Sequence, residues 1–379
     1  MSTAQLLISD SEHHADMLYV SRMFIPDAFI VVGLEHDSGT AWHGLLSPLE
    51  VDRAKKDSAL DQVHLDTPWR EQAKQYQREP SLALTAAAFL HAHDITRITV
   101  PGHFPLMYAD ILRELGFEVH ACSGTLFPQR AIKTETEIQH LARAERLTRA
   151  SMMQAEQFLA ACSINDDQTL SHPTSAQVTA ADVRAAIETF LIAQGAMPSH
   201  TIVACGSQSS DPHQMGSGPI MAHQPIIIDI FPRLLDCGYW GDMTRTYVKG
   251  KPDATLKKLY QTVSEGQDIG LNAVCAGASS RSIHQAIVTH FEQQGFPTGL
   301  KDGQQQGFFH GTGHGVGLDI HEQPRLSLCD DVLQEQQVVT VEPGLYYPKL
   351  GGVRLEDMVV VRAQGCDNLT QHPRQFVIS

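Results

Sequence analysis

A chain of 379 residues is too long for one ordinary domain and comfortable for two. Its 28 basic and 43 acidic residues leave a net charge of −15, which argues against wrapping nucleic acid or coating an anionic membrane, since both need basic surface. Apolar residues make up 42%, an ordinary globular fraction, and no run approaches the roughly 18 apolar residues of a bilayer span.

The opening residues carry no basic region ahead of an apolar run and meet acid by Asp10, so no secretory leader is expected. Cys122, Cys162, Cys205, Cys237, Cys275, Cys329 and Cys366 are scattered and form no C-x-x-C pair. That pattern predicts a reduced, cytoplasmic protein with neither a disulfide framework nor a zinc ribbon.

In chain order, Phe29 to Val32 predicts a short apolar strand, and Ser81 to His93 a helix that follows Pro80. Ile95 to Val100 predicts a strand, Pro105 to Leu115 a helix stopped by Gly116, and Phe117 to His120 another strand. This β-α-β order implies a parallel crossover in a small amino-terminal α/β domain, residues 1–128. It has no G-x-G-x-x-G or G-K-[ST] loop, so packing or oligomerisation is its expected role rather than nucleotide binding.

The boundary falls near residues 123–134, and a second domain is expected over 129–379. Thr134 and Glu137 have the spacing of a capping box. Ile138, Leu141, Met152, Ala155 and Leu159 then fall on one face of a long helix. Further helices are expected over 177–194, 253–275 and 279–294, each with a glycine stop.

Four strand-like stretches come as two pairs, 224–231 with 241–249 and 337–347 with 352–362. Each pair carries two acids, Asp229 with Asp242 and Glu342 with Glu356, separated by 13 and 14 residues (242 − 229; 356 − 342). This weak internal repeat implies a pseudo-twofold domain that presents carboxylates from both halves to one cleft. Asp229 interrupts Ile226-Ile227-Ile228, and Glu342 ends Val-Val-Thr-Val. A buried, unpaired carboxylate costs several kcal/mol or keeps its proton. Either acid alone reads as a salt-bridge partner; four in one cleft need cations.

The segment from His310 to Glu322 adds histidines at 310, 314 and 321. His310 and His314 are four apart, yet glycines at 311, 313, 315 and 317 argue against the helix of a zinc-peptidase motif, and Gly311 stands where that motif has glutamate. The glycines are expected to let backbone approach a metal or substrate closely. One histidine with four carboxylates suits a pair of divalent ions such as Mn, Co, Zn or Mg.

The blocks Ile-Asp229, Gly-Tyr-Trp-Gly-Asp242-Met-Thr-Arg-Thr, His310-x-x-Gly-His314-Gly-x-Gly-Leu-x-x-His321-Glu, Val-Glu342-Pro-Gly-Leu-Tyr and Gly-Val-Arg354-x-Glu356-Asp resemble the pita-bread metallopeptidases. That family includes aminopeptidase P, prolidase and methionine aminopeptidase. The resemblance runs over residues 130–379, and a smaller amino-terminal domain is typical of the first two. It implies an α/β chain whose second domain is a pita-bread catalytic domain. It implies that Asp229, Asp242, His314, Glu342 and Glu356 are the metal ligands, with two divalent ions, Mn first and Co or Zn as alternatives.

By the same resemblance, His213 is a substrate-side histidine, His321 assists the tetrahedral intermediate or the leaving group, and His310 lies near the proline pocket. Arg354 and Thr244 would orient the carboxylates, and Glu342 would accept the proton of the attacking water. Arg325 resembles the arginine with which some prolidases hold a dipeptide's free carboxylate. The loop Phe231–Cys237 is two residues longer than usual, so the resemblance does not set the shape of the adjoining pocket wall.

The implied activity is hydrolysis of the Xaa-Pro bond, as a dipeptidase or an aminopeptidase, on small peptides, by a homodimer or homotetramer. Two alternatives remain at this point: a creatinase-like hydrolase, and a metal-free binding protein on the same fold.

Overall fold

The computed structural model describes residues 2–37 and 39–379; Met1 and Ser38, both within the expected amino-terminal domain, lie outside it. The chain divides into two compact units, residues 1–128 and 129–379.

The first unit is built on a six-stranded sheet in the order 62–65, 39–46, 29–36, 2–9, 95–100, 118–121. The expected crossover is present: Ile95–Val100 runs parallel to Glu118–Ala121 with Ile98 opposite Val119, and the helix Leu106–Glu114 joins them. Of the three central strands only Phe29 to Val32 was anticipated, as the first half of Phe29–His36; Ser2–Ser9 and Gly39–Leu46 were not. Ser2–Ser9 pairs antiparallel with Phe29–His36, which pairs antiparallel with Gly39–Leu46.

Both faces of this sheet are covered. Leu6 and Ile8 pack into one apolar cluster and Leu7 into another, as do Ile30 and Val32 against Phe29 and Val31. A strand buried on both sides loses the polar alternation by which a strand is recognised. The short helices Ala15–Ser21, Val51–Asp57 and Thr67–Ala73 are two turns each, too short for a periodic signal.

The second unit opens as its capping box predicts. The Glu137 backbone N–H donates to Thr134 Oγ1 at 3.3 Å, and the Thr134 N–H to Glu137 Oε2 at 2.8 Å. The helix Glu135–Ala160 follows, burying Ile138, Leu141, Met152, Ala155 and Leu159. Helix Ala180–Ala193 and the antiparallel strands Ile226–Ile230 and Met243–Lys249 complete one half around its own core. Helices Ala254–Ala273 and Ser280–Gln293 and the antiparallel strands Val338–Val341 and Asp357–Val361 repeat that plan around a second core.

The two carboxyl-terminal strand stretches differ from expectation. Each is broken: 337–347 into Val338–Val341 and Gly344–Tyr347, and 352–362 into Gly351–Arg354 and Asp357–Val361. Pro343 cannot donate to a ladder, which ends the first strand. The breaks carry Glu342 and Glu356, and Asp242 stands one residue ahead of its strand. Three of the four acids therefore sit just outside a strand end, and Asp229 lies inside a strand.

All seven cysteines are free thiols. Among the described residues, no helix is long and apolar enough to cross a membrane.

Candidate metal centre and active site

The strand register brings the first pair of acids together. Asp229 lies opposite Thr244, and Asp242 is two residues before Thr244, so both project from the same face of the sheet. The second pair arrives from the other half. The Glu342 N–H donates to Thr312 O at 2.7 Å, and the Glu356 N–H to Thr244 O at 3.1 Å, a bond that ties the two halves at the site. Asp229, Asp242, Glu342 and Glu356 line one cavity of about 660 Å³, with His213, His310, His314, His321, Arg325 and Arg354. All ten residues are among those the motifs single out.

His314 is held in one tautomer. Its Nδ1 faces the Gly315 carbonyl at 3.2 Å, which can only accept, so Nδ1 carries the proton and Nε2 presents a lone pair. That lone pair faces Asp242 Oδ2 at 3.6 Å and Glu342 Oε1 at 3.4 Å. Asp242, His314 and Glu356 each offer one donor atom, all within 4.8 Å of one another. Electron pairs thus converge on electron pairs.

Arg354 offsets part of this charge. Its Nη2 donates to Asp229 Oδ2 at 2.6 Å, its Nε to Thr244 Oγ1 at 3.1 Å, and its Nη1 to the Tyr346 hydroxyl at 2.9 Å. Thr244 Oγ1 donates in turn to Glu356 at 2.7 Å. The other Asp229 oxygen, Oδ1, is buried without a hydrogen-bond partner among the described residues.

The remaining carboxylates pay in proton affinity. Burial pushes Glu342 up to about 7 against the pull of Arg354. Burial, then Glu356, Asp229 and Glu342, hold Asp242 well above the usual carboxylate range; burial, then Glu342 and Asp229, do the same to Glu356. Burial, with His321 beside it, pushes His314 down to about 3, which keeps the imidazole neutral and able to ligate. Carboxylate oxygens, one neutral imidazole and an orphaned buried oxygen are the donor set of hard divalent cations, and the residues fit such ions.

The glycines of the histidine segment also let the backbone pack closely against protein. Gly311 and Gly313 line the cavity, but the tight approach is to protein. A Cβ on Gly313 would lie 1.9 Å from the Thr340 carbonyl oxygen. The His314 strand can lie this close to its neighbour only without a side chain there.

His310 sits in the cavity wall with both nitrogens engaged. Its Nδ1 donates to Gly311 O at 2.7 Å and its Nε2 accepts from the Tyr346 hydroxyl at 2.9 Å. Burial, then Arg354, pushes it down to about 3. His213 and Arg325 are exposed at the cavity, and the ring of His321 stands edge-on to that of His314 with centroids 4.3 Å apart. Burial and then Arg325 lower the His321 pKa.

Four residues of the site escaped the motifs as functional groups. Tyr346 bridges His310 and Arg354, although it stands inside a quoted block. Glu145, on the long helix, accepts the Asp242 backbone N–H at 3.0 Å, and burial pushes it up to about 7. Ile202 and Phe231 line the cavity as apolar wall. The longer loop holding Phe231 is pinned by Arg233–Leu234, which pairs with Ala196–Met197.

Such a two-halved domain, with carboxylates from both halves meeting over one cavity, defines the pita-bread class. The sequence profile of Metallopeptidase family M24 matches residues 134–363, more than half of the chain, and the chain belongs to this family of peptidases. The uncharacterized peptidase YqhT of Bacillus subtilis (strain 168) is 31% identical over 278 residues, 70% of this chain and 75% of that protein. The Xaa-Pro dipeptidase of Pyrococcus furiosus is 35% identical over 178 residues, 47% of this chain and 49% of that protein, so the match spans about half of it. The structure of an Xaa-Pro dipeptidase from Bacillus anthracis superposes with a TM-score of 0.82 at 25% identity, covering 100% of this chain and 95% of that one.

Proposed function

We propose that this peptidase hydrolyses the Xaa-Pro bond of dipeptides and short peptides, using two divalent metal ions held by Asp229, Asp242, His314, Glu342 and Glu356. Mn is the ion we assign first, with Co or Zn able to replace it. The observation that carries the reading is the convergence of four carboxylates and the His314 lone pair on one cavity, with Arg354 ion-paired to Asp229. Bound there, such ions would polarise the scissile carbonyl and acidify the attacking water.

The chain's own groups supply the rest. Glu342 has 19% of its side chain open to the cavity, so it can take a proton from water and pass it on. His321 and His213 stand at the cavity edge, where an N–H can meet the developing oxyanion or the departing nitrogen. Arg354 and Thr244 hold Asp229 and Glu356 in place. Proline has no N–H to offer a strand-like binding cleft, so the ring must be recognised by shape. His310, Phe309 and the apolar Ile202, Phe231 and Ile320 provide such a wall.

Between dipeptidase and aminopeptidase, Arg325 favours the first. It lies opposite His314 in the strand register and is among the residues that line the cavity, where a guanidinium suits a free carboxylate. The same reading takes the enzyme as a cytoplasmic homodimer or homotetramer, with neither nucleic acid nor membrane as partner. A panel of Xaa-Pro dipeptides and Xaa-Pro-Yaa tripeptides on the Mn and Zn forms tests it. Faster cleavage of dipeptides is expected; faster cleavage of tripeptides would make it an aminopeptidase.

A further inference from the structure

We propose that Arg130 and Lys133 are positioning residues for His321, acting through Glu322; the inference rests on reading His321 as a group that meets the substrate. Neither cation lines the catalytic cavity. Lys133 Nζ donates to Glu322 Oε1 and, at 2.7 Å, to the Arg130 carbonyl. Arg130 Nη2 donates to Glu322 Oε2 and to Asp319 Oδ2, both at 2.8 Å. His321 is bracketed by the two acids that Arg130 holds.

This cluster is no surface decoration. The Lys133, Arg130 and Glu322 side chains are 1%, 8% and 10% exposed. Exposed ion pairs fix little, whereas a buried carboxylate stripped of one partner keeps an uncompensated charge. The loop is moulded around that carboxylate. A Cβ on Gly317 would lie 2.4 Å from Glu322 Oε1, so the backbone passes directly over it. The Trp240 N–H donates to Gly317 O and the Trp240 indole N–H to Leu318 O, each at 3.1 Å. Residues 317, 318, 319 and 322 are thus tied down, and His321 is delivered between ties against His314.

Removing one cation from Glu322 should let that segment shift, and misplacement of a catalytic group by an ångström costs about 10²-fold in rate. The effect should fall mainly on kcat, because His310, Phe309, Ile202 and Phe231 lie outside that segment and the Arg325 backbone is held separately, its N–H by Asp331 and its carbonyl by Ser280.

The test is a double-mutant cycle on the metal-loaded enzyme with an Xaa-Pro dipeptide. It uses Lys133→Met, His321→Ala and the combination, with metal content and thermal midpoint recorded for each. Lys133→Met is expected to lower kcat 10- to 100-fold with KM changed less than threefold and metal content unchanged. In the His321→Ala background the same change should cost less than twofold, since the group it positions is already gone. If Lys133→Met does not fold, Arg130→Gln, which leaves Lys133 on Glu322, takes its place in the cycle. Equal losses in both backgrounds, or no loss in either, overturn the proposal while leaving the peptidase reading intact. Full activity of His321→Ala itself would overturn the role given to His321, and this proposal with it.

Discussion

Removing the metal should expose the electrostatic cost of the site as a pH-dependent loss of stability, and Glu342→Gln isolates it. Burial raises Glu342 from 4.5 to about 7. Between these values the folded protein holds a proton that the unfolded chain has released. Stability conferred by that proton is present at low pH and is lost as pH rises through about 7. At about 1.4 kcal/mol per tenfold change in proton affinity, the full effect is about 3 kcal/mol. About 2 kcal/mol of it falls between pH 5.5 and 7.5, and the open part of the side chain trims this further.

His310 and His314 act in the opposite sense. Their pKa values are depressed to about 3, so they cost stability as pH falls below 6.5. Asp242 and Glu356 act in the same sense as Glu342 and are raised in part by it, so the difference between wild type and Glu342→Gln cancels the histidines and reports Glu342 together with its carboxylate neighbours. In metal-free protein followed by urea denaturation, the glutamine variant should gain about 2 kcal/mol on wild type as pH goes from 5.5 to 7.5. Adding Mn should stabilise wild type at pH 7.5 and the variant much less. A difference that stays constant with pH, or that moves the other way, would refute the reasoning.

Three other outcomes follow from contacts at the site. Arg354→Met leaves Asp229 buried without its ion pair and should cost about 3–5 kcal/mol in chemical denaturation. Gly313→Ala drives a methyl into the Thr340 carbonyl and should destabilise by at least about 1–3 kcal/mol; calorimetry of metal binding should show weakened affinity as well. Arg325→Ala should raise KM for Xaa-Pro dipeptides about 10- to 100-fold, the worth of a charge-assisted hydrogen bond, while tripeptide kinetics change little.

What could be read from the sequence was local chemistry. Asp229 within an isoleucine run and Glu342 after Val-Val-Thr-Val announce themselves because a charge stands where the pattern demands apolar side chains. The repeated helix-pair and strand-pair plan was visible for the same reason. Partnerships across long separations were not: Lys133 meets Glu322 at 189 residues' distance, and Glu145 meets Asp242 at 97. Nothing near Lys133 or Glu145 signals that they are buried. Tyr346 stood in a recognised block, but its link to His310 and Arg354 depends on a strand break at Pro343. In the amino-terminal unit, Ser2–Ser9 hid its strand character because both of its faces are covered.

The central claim is tested most directly by the rate of Xaa-Pro dipeptide hydrolysis, measured as the metal-stripped protein is titrated with Mn. Activity should rise from near zero to a plateau at two equivalents per chain, and Asp242→Asn should abolish it. Turnover that is unaffected by stripping, or no turnover of any Xaa-Pro substrate at saturating metal, would contradict it.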